Sequence, residues 1–316
     1  MAHSIGTPFF WTSFVAVILI LLSIDLGVFH RHAHAVKVRE ATIWNFTWIL
    51  LSCSFGIWVY RAFGRQYGLE FFTGYLIEYA LSVDNVFIFI IIFSYFGVPA
   101  RFHHRVLFWG ILGALIMRAT FIVAGAALIS AFHWMIYIFG AFLVFTGIKV
   151  LRQGEVEVEP DQNPVVKLFR RIVPLTSSYE SGRFFSTQGA KIAATPLALV
   201  LVTVEATDLV FATDSIPAIF GVTKDPFIVY TSNICAILGL RSMYFLLSAV
   251  ITRFCYLGTG LGIVLMFIGV KMLVSSFYAI PIGLSLAVVA AVLAGSIALS
   301  LLFPKKAGGV QRDSTR

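Results

Sequence analysis

The stretch "EATDLVFATDSIPAIF", residues 205–220, sets three carboxylates, Glu205, Asp208 and Asp214, inside an otherwise apolar run. It continues "PLALVLVTV" (196–204) without a charged break. Together they have the length of an α-helix that crosses the hydrocarbon core of a bilayer, about 20 residues. A carboxylate in the middle of such a helix costs on the order of 3 kcal/mol by insertion scales. Three in one segment require a compensating charge, a cation or a proton.

The rest of the chain has the same character. Of 316 residues, 59% are hydrophobic and 12% charged, where soluble domains carry roughly 25% charged residues. The mean hydropathy is +0.92. Nine apolar segments lie at about 9–29, 42–60, 71–96, 106–130, 134–151, 195–220, 227–250, 257–277 and 280–303. None alternates with period two, which excludes a porin-like barrel. The fold class is therefore all-α, a polytopic helical membrane protein with about nine transmembrane helices. The first segment lacks the basic leader and small-residue cleavage site of a secretory signal. Cys53, Cys235 and Cys255 lie in or beside apolar segments without metal-type spacing, and read as core or lipid-facing residues.

Most of the 23 Lys and Arg fall in the loops after segments 1, 3, 5 and 7 and in the C-terminal tail. The opposite side holds only Arg61, Arg65 and Lys224. The positive-inside rule then places the N-terminus outside and the C-terminus in the cytoplasm of a bacterial inner membrane. The net charge of +8 reflects this topology and gives no reason to expect nucleic acid as a partner; the bilayer is the partner it implies.

Four basic residues, Arg118, Lys149, Arg241 and Lys271, fall within predicted helices and expose a repeat. "DNVF" at 84–87 resembles "DLVF" at 208–211. Arg118 and then Lys149, in "FTGIKVL", follow Asp84 at nearly the spacing at which Arg241 and Lys271, in "FIGVKML", follow Asp208. Three matched landmarks at near-constant spacing define two copies. Each copy has three helices, so the second enters from the opposite face: a 3+3 inverted-topology repeat, with its site expected near the midplane between the copies. The division is 1–70 (two N-terminal helices), 71–151 (repeat 1), 152–194 (cytoplasmic loop), 195–277 (repeat 2) and 278–316 (last helix and tail). The loop opens acidic and continues as the basic, amphipathic "VVKLFRRIVPL", suited to a leaflet surface. It reads as a solvated connector, with a regulatory or ion-collecting role as the alternative.

On a regular helix Glu78, Ser82 and Asn85 share one face, and Glu205, Asp208 and Ser215 share an arc of about 80°. Asp84 and Asp214 fall outside those arcs. Pro217 cannot donate a backbone hydrogen bond, so the helix is expected to unwind there and free carbonyl ligands. The repeat helices hold five acids against two mid-helix bases, Arg118 and Arg241, each expected to pair with an acid of its own or the opposing copy. Lys149 and Lys271 lie near helix ends and can snorkel. About three negative charges are left over. That repels anions and suits a proton or a hard divalent cation such as Mg²⁺, Ca²⁺ or Mn²⁺. The alternative is a set of structural ion pairs. Asp25 reads as interfacial; His30, His32, His34, His103 and His104, at helix ends, read as polar anchors.

The motifs "EYALSVDNVFIF", "EATDLVFATDSIPAIF", "LGLR" and the Gly-x-Lys helices resemble the TerC family of bacterial membrane proteins over essentially the whole chain. That family is named for tellurium resistance and belongs to a wider group of inverted-repeat exporters. Its members are associated with manganese efflux, including an alkali-induced, manganese-responsive branch, and others with loading manganese onto secreted enzymes. The resemblance implicates Glu78, Asp84, Asn85, Glu205, Asp208, Asp214 and Ser215 as a metal site. It implies an exporter of a divalent cation, manganese first, with no permanent cofactor and no enzymatic activity. No nucleotide-binding motif is present, so an ion gradient or the membrane potential must drive it. Two competing readings are a non-transporting component of tellurium or envelope stress resistance, acting through the 152–194 loop, or of metal loading of secreted enzymes, and an intramembrane aspartyl protease. The arginines in the same repeats weigh against the protease.

Overall fold

The structure, a computed structural model, describes residues 4–24, 38–132, 134–153, 164–176, 179, 182–188, 191–248, 256–275, 277–278 and 280–302. Asp25, His30, His32, His34, Cys255 and residues 154–163 of the connector lie outside the described residues.

Eleven helices and one hairpin are described: α1 (Pro8–Ile24), α2 (Val38–Phe63), α3 (Arg65–Tyr95), α4 (Ala100–Ala131), α5 (Met135–Gln153), α6 (Pro164–Ile172), β1 (Phe185–Gln188), β2 (Lys191–Ala194), α7 (Pro196–Phe220), α8 (Pro226–Leu238), α9 (Leu240–Ser248), α10 (Leu257–Val274) and α11 (Ile282–Leu302). The protein is an essentially all-α polytopic membrane protein. Seven helices, α2, α3, α4, α5, α7, α10 and α11, are long and apolar enough to cross a bilayer. The first predicted span appears as the shorter apolar helix α1. The seventh is divided between α8 and α9. The outer surface is apolar, with Ile116 and Phe145 each 65% exposed, as a lipid-facing surface requires.

Chain reversals fall where backbone chemistry permits them. Gly64 (φ 98°) and Gly97 (φ 60°) adopt left-handed conformations that residues with a Cβ resist. They turn α2 into α3 and α3 into α4. Asp225 caps α8, accepting from Phe227 N (2.8 Å) and Ile228 N (3.4 Å), with Pro226 at the first helical position. The same carboxylate accepts from Ser4 Oγ (2.8 Å) and Ile5 N (2.7 Å), pinning the start of the chain to that cap.

Two expectations are corrected. Helix α7 runs unbroken through Pro217 to Phe220 instead of unwinding. Pro217 forfeits the bond to Thr213 O, yet the helix continues one turn past it, and its own carbonyl accepts from Gly221 N (3.0 Å). The interruption falls at Gly239, between α8 and α9 and two residues before Arg241; glycine is among the weakest helix formers. The connector is also more than an amphipathic segment. Helix α6 packs on α7, and β1 pairs antiparallel with β2, Phe185 opposite Ala194. Tyr179 Oη donates to Phe96 O (2.8 Å), docking the connector on the turn between α3 and α4.

Helices α5 and α10 form the most extensive helix pair. A Cβ at Gly140 would lie 3.0 Å from Gly269 O, and one at Gly147 would lie 2.7 Å from Gly262 O. The helices therefore cross antiparallel, with backbones in contact through glycines. Lipid tails are as apolar as leucine, so close backbone approach is what drives such pairing. Aligning α5 and α10 on Lys149 and Lys271 matches Gly140 with Gly262 and Gly147 with Gly269, so each of the two contacts joins the counterparts of the other. The pairing of α3 with α8 and of α7 with α4 exchanges in the same way. Gly269→Val, whose Cβ would meet Gly140 O at 2.6 Å, should cost about 1–3 kcal/mol. Gly258→Ala, with nothing within 4 Å of the new atom, should be neutral. Thermal unfolding in detergent checks the pair; equal melting points would rule out this close packing.

Candidate cation site

Near the middle of the bundle α3, α4, α7 and α8 converge on the Arg118 guanidinium. Arg118 is fully buried. Its Nη1 forms an ion pair with Glu78 Oε1 and donates to Asn233 Oδ1 (2.9 Å). Its Nη2 donates to Asp208 Oδ1 (3.2 Å) and its Nε approaches Asp208 Oδ2 (3.5 Å). One arginine thus bridges an acid of its own half, Glu78, and one of the other half, Asp208. The planar fork of donors permits this where a lysine ammonium would not.

The surroundings are polar and only partly satisfied. Glu78 Oε2, Ser82 Oγ, Ser215 Oγ and Asn233 Nδ2 are buried and have no hydrogen-bond partner among the described residues. Ser215 Oγ nevertheless faces the Glu78 carboxyl closely enough to interact with it. Asn85, two turns beyond Glu78 on the same face of α3, is buried as well.

The remaining acids stand apart. Glu205, half-buried on α7, rests against α4 at Gly113, where an added Cβ would overlap its carboxylate. Asp214 accepts from Thr146 Oγ1 on α5 (3.2 Å), with Lys149 close enough to interact. Arg241 is buried on α9. The Asp84 side chain lies outside what the structure describes. So the structure gathers Glu78, Asp208 and Ser215, and keeps Glu205 and Asp214 separate. Among the described residues no three acidic, histidine or cysteine side chains cluster as metal ligands. The assumption that each arginine neutralises one acid also changes, since Arg118 engages two.

Sequence reasoning missed Asn233. Its signal was the polar triplet "TSN" (231–233) in an apolar helix. It also missed Glu70, because α3 begins earlier than the hydropathy suggests. Glu70 is buried, accepts from Gln66 Nε2 (3.0 Å) and Thr223 Oγ1 (2.5 Å), and lies near Lys271.

Residues 63–308 match the integral membrane protein TerC family. The chain belongs to the TerC family. It is 48% identical over 313 residues to the membrane protein STKORF319 of Myxococcus xanthus, covering 99% of this chain and 98% of that one. It is 48% identical over 300 residues to Alx of Escherichia coli, described as a proposed membrane-bound redox modulator, covering 92% and 94%. A membrane protein of Rickettsia bellii is 40% identical over 278 residues, covering 88% and 92%. No solved structure matches.

Proposed function

We propose that this TerC-family protein exports a divalent cation, Mn²⁺ first, across the bacterial inner membrane by alternating access of its two halves. The observation that carries the reading is the meeting of Glu78 and Asp208, one acid from each half, at a buried point beside unsatisfied oxygens. Carboxylates, an amide oxygen and a hydroxyl form a hard, all-oxygen donor set. Sites between repeats are where secondary transporters bind cargo. The antiparallel α5–α10 crossing is consistent with a rocking pair. Protons exchanged for metal at the same carboxylates supply an economical drive, because protonation neutralises the site and releases the cation.

The deciding experiment is flux of Mn²⁺ into liposomes carrying the purified protein, against Mg²⁺, Ca²⁺, Zn²⁺ and tellurite. Saturable Mn²⁺ transport is expected; none of these species moving would end the exporter reading. Nine crossings with the N-terminus outside predict that a reporter after Gly154 reads cytoplasmic and one near Phe132 external. The same side for both would remove the inverted repeat.

The relative described as a redox modulator raises a thiol-based role as the second reading. Cys235 is buried in α8 and Cys53 is half-buried in α2, both as free thiols. A variant with Cys53, Cys235 and Cys255 all replaced by Ser should keep Mn²⁺ flux within about twofold of wild type, since none lies among the proposed hard oxygen ligands. Complete loss in folded protein would favour the thiol reading.

A further inference from the structure

We infer that Arg118 is a tethered counter-cation that holds the place of the transported metal between Glu78 and Asp208, and that metal entry sends its guanidinium one helical turn along α7 to Glu205. The inference rests on the export reading and adds the step by which the site opens and closes.

The guanidinium sits where a cation bridging both halves would sit, in contact with Glu78, Asp208 and Asn233 Oδ1. Two carboxylates and one guanidinium sum to a single negative charge. A divalent cation added beside Arg118 would leave a net positive charge in a buried site, with like charges a few ångströms apart. Such repulsion is strong away from water. Metal and guanidinium therefore exclude one another. With the metal seated, two carboxylates balance it, and Arg118 needs a carboxylate of its own.

Glu205 is that carboxylate. It precedes Asp208 by three residues on α7, and residues so spaced are surface neighbours about 5–6 Å apart. Among the described residues it has no hydrogen-bond or ion-pair partner, and its carboxylate lies against α4 at Gly113. The Arg118 guanidinium already reaches α7 at Asp208, one turn from Glu205. Gly113 leaves the space a side chain would fill. In the metal-bound state two neutral assemblies result, metal with Glu78 and Asp208, and Arg118 with Glu205. Departure of Arg118 also frees Asn233 Oδ1. With Ser215 Oγ and Glu78 Oε2, which have no hydrogen-bond partner among the described residues, it adds oxygen ligands for the metal.

The test is Mn²⁺ binding by calorimetry to full-length protein in nanodiscs, for wild type, Arg118→Gln, Glu205→Gln and the double variant. Arg118→Gln should bind Mn²⁺ about tenfold more tightly or better, having lost its internal competitor, yet transport it more slowly. Glu205→Gln should weaken binding about fivefold or more in the wild-type background and leave Arg118→Gln unchanged, since Glu205 acts through the guanidinium. Weaker or equal binding by Arg118→Gln, or equal weakening by Glu205→Gln in both backgrounds, overturns the inference. Should Arg118→Gln fail to fold, Arg118→Ala purified with methylguanidinium replaces it. The small cation should compete with Mn²⁺; Mn²⁺ affinity independent of methylguanidinium overturns the inference equally. A wild type that neither binds nor transports Mn²⁺ removes the export reading and the inference together. A wild type that does both isolates the fault to the role of Arg118.

Discussion

Asp208→Asn is expected to abolish manganese export while the protein still reaches the membrane folded. The substitution keeps the shape and one oxygen at the position where Asp208 meets Arg118. Arg118 keeps Glu78 and Asn233 as partners, so no buried charge is left alone. What disappears is one unit of negative charge at the cation position. A loss of about 3 kcal/mol there corresponds to roughly a 100-fold weaker affinity. Asp84→Asn, at the matching position of the other copy, should give a similar defect. Because protons compete with metal for the same oxygens, wild-type binding should weaken as the pH falls. Cell manganese is the measurement, in a strain lacking its other exporters and with each variant quantified in the membrane. Aspartate variants that keep cells as manganese-poor as wild type would reduce these carboxylates to structural ion pairs.

Much of this site is legible in the sequence because intramembrane charge is scarce and expensive. Glu78, Asp84, Arg118, Asp208 and Arg241 stand out from apolar helices, and the matched spacing of Asp84 to Arg118 and of Asp208 to Arg241 suggests the repeat without any contact being known. Which acid meets which base is a different matter. Helical periodicity groups Glu205 with Asp208 on one arc, yet the Glu205 carboxylate rests against α4 at Gly113 while Asp208 takes the Arg118 guanidinium. Asp214 is likewise taken by Thr146, a residue with no charge to advertise it. Asn233 becomes a partner only once α8 is seen to lie against α3 and α4. Pro217 is misleading for a local reason. A proline past the first turn removes one bond and can bend a helix without ending it, and hydropathy does not distinguish the two outcomes. The β1–β2 hairpin, four residues per strand, is too short for periodicity to register.

Arg118→Leu should give the largest loss of stability. Removing either acid leaves Arg118 a partner, but removing Arg118 leaves Glu78 and Asp208 as two buried carboxylates with no counter-charge between them. Breaking a buried pair in this way costs about 3–5 kcal/mol, and the second acid adds to it. Both carboxylates would have to take up protons, or the helices would have to part and admit water. Folded yield, measured by fluorescence-detected chromatography, should therefore fall well below that of Glu78→Gln or Asp208→Asn. Adding Glu78→Gln to Arg118→Leu should recover part of it, because one uncompensated charge is removed and the local net charge returns to that of wild type. Mn²⁺ in the extraction buffer should recover yield in the single variant too, since a ligand that binds only the folded state stabilises it by mass action. If Arg118→Leu is as abundant as wild type without added metal, the guanidinium does not neutralise these acids, and the charge balance on which the site rests is wrong.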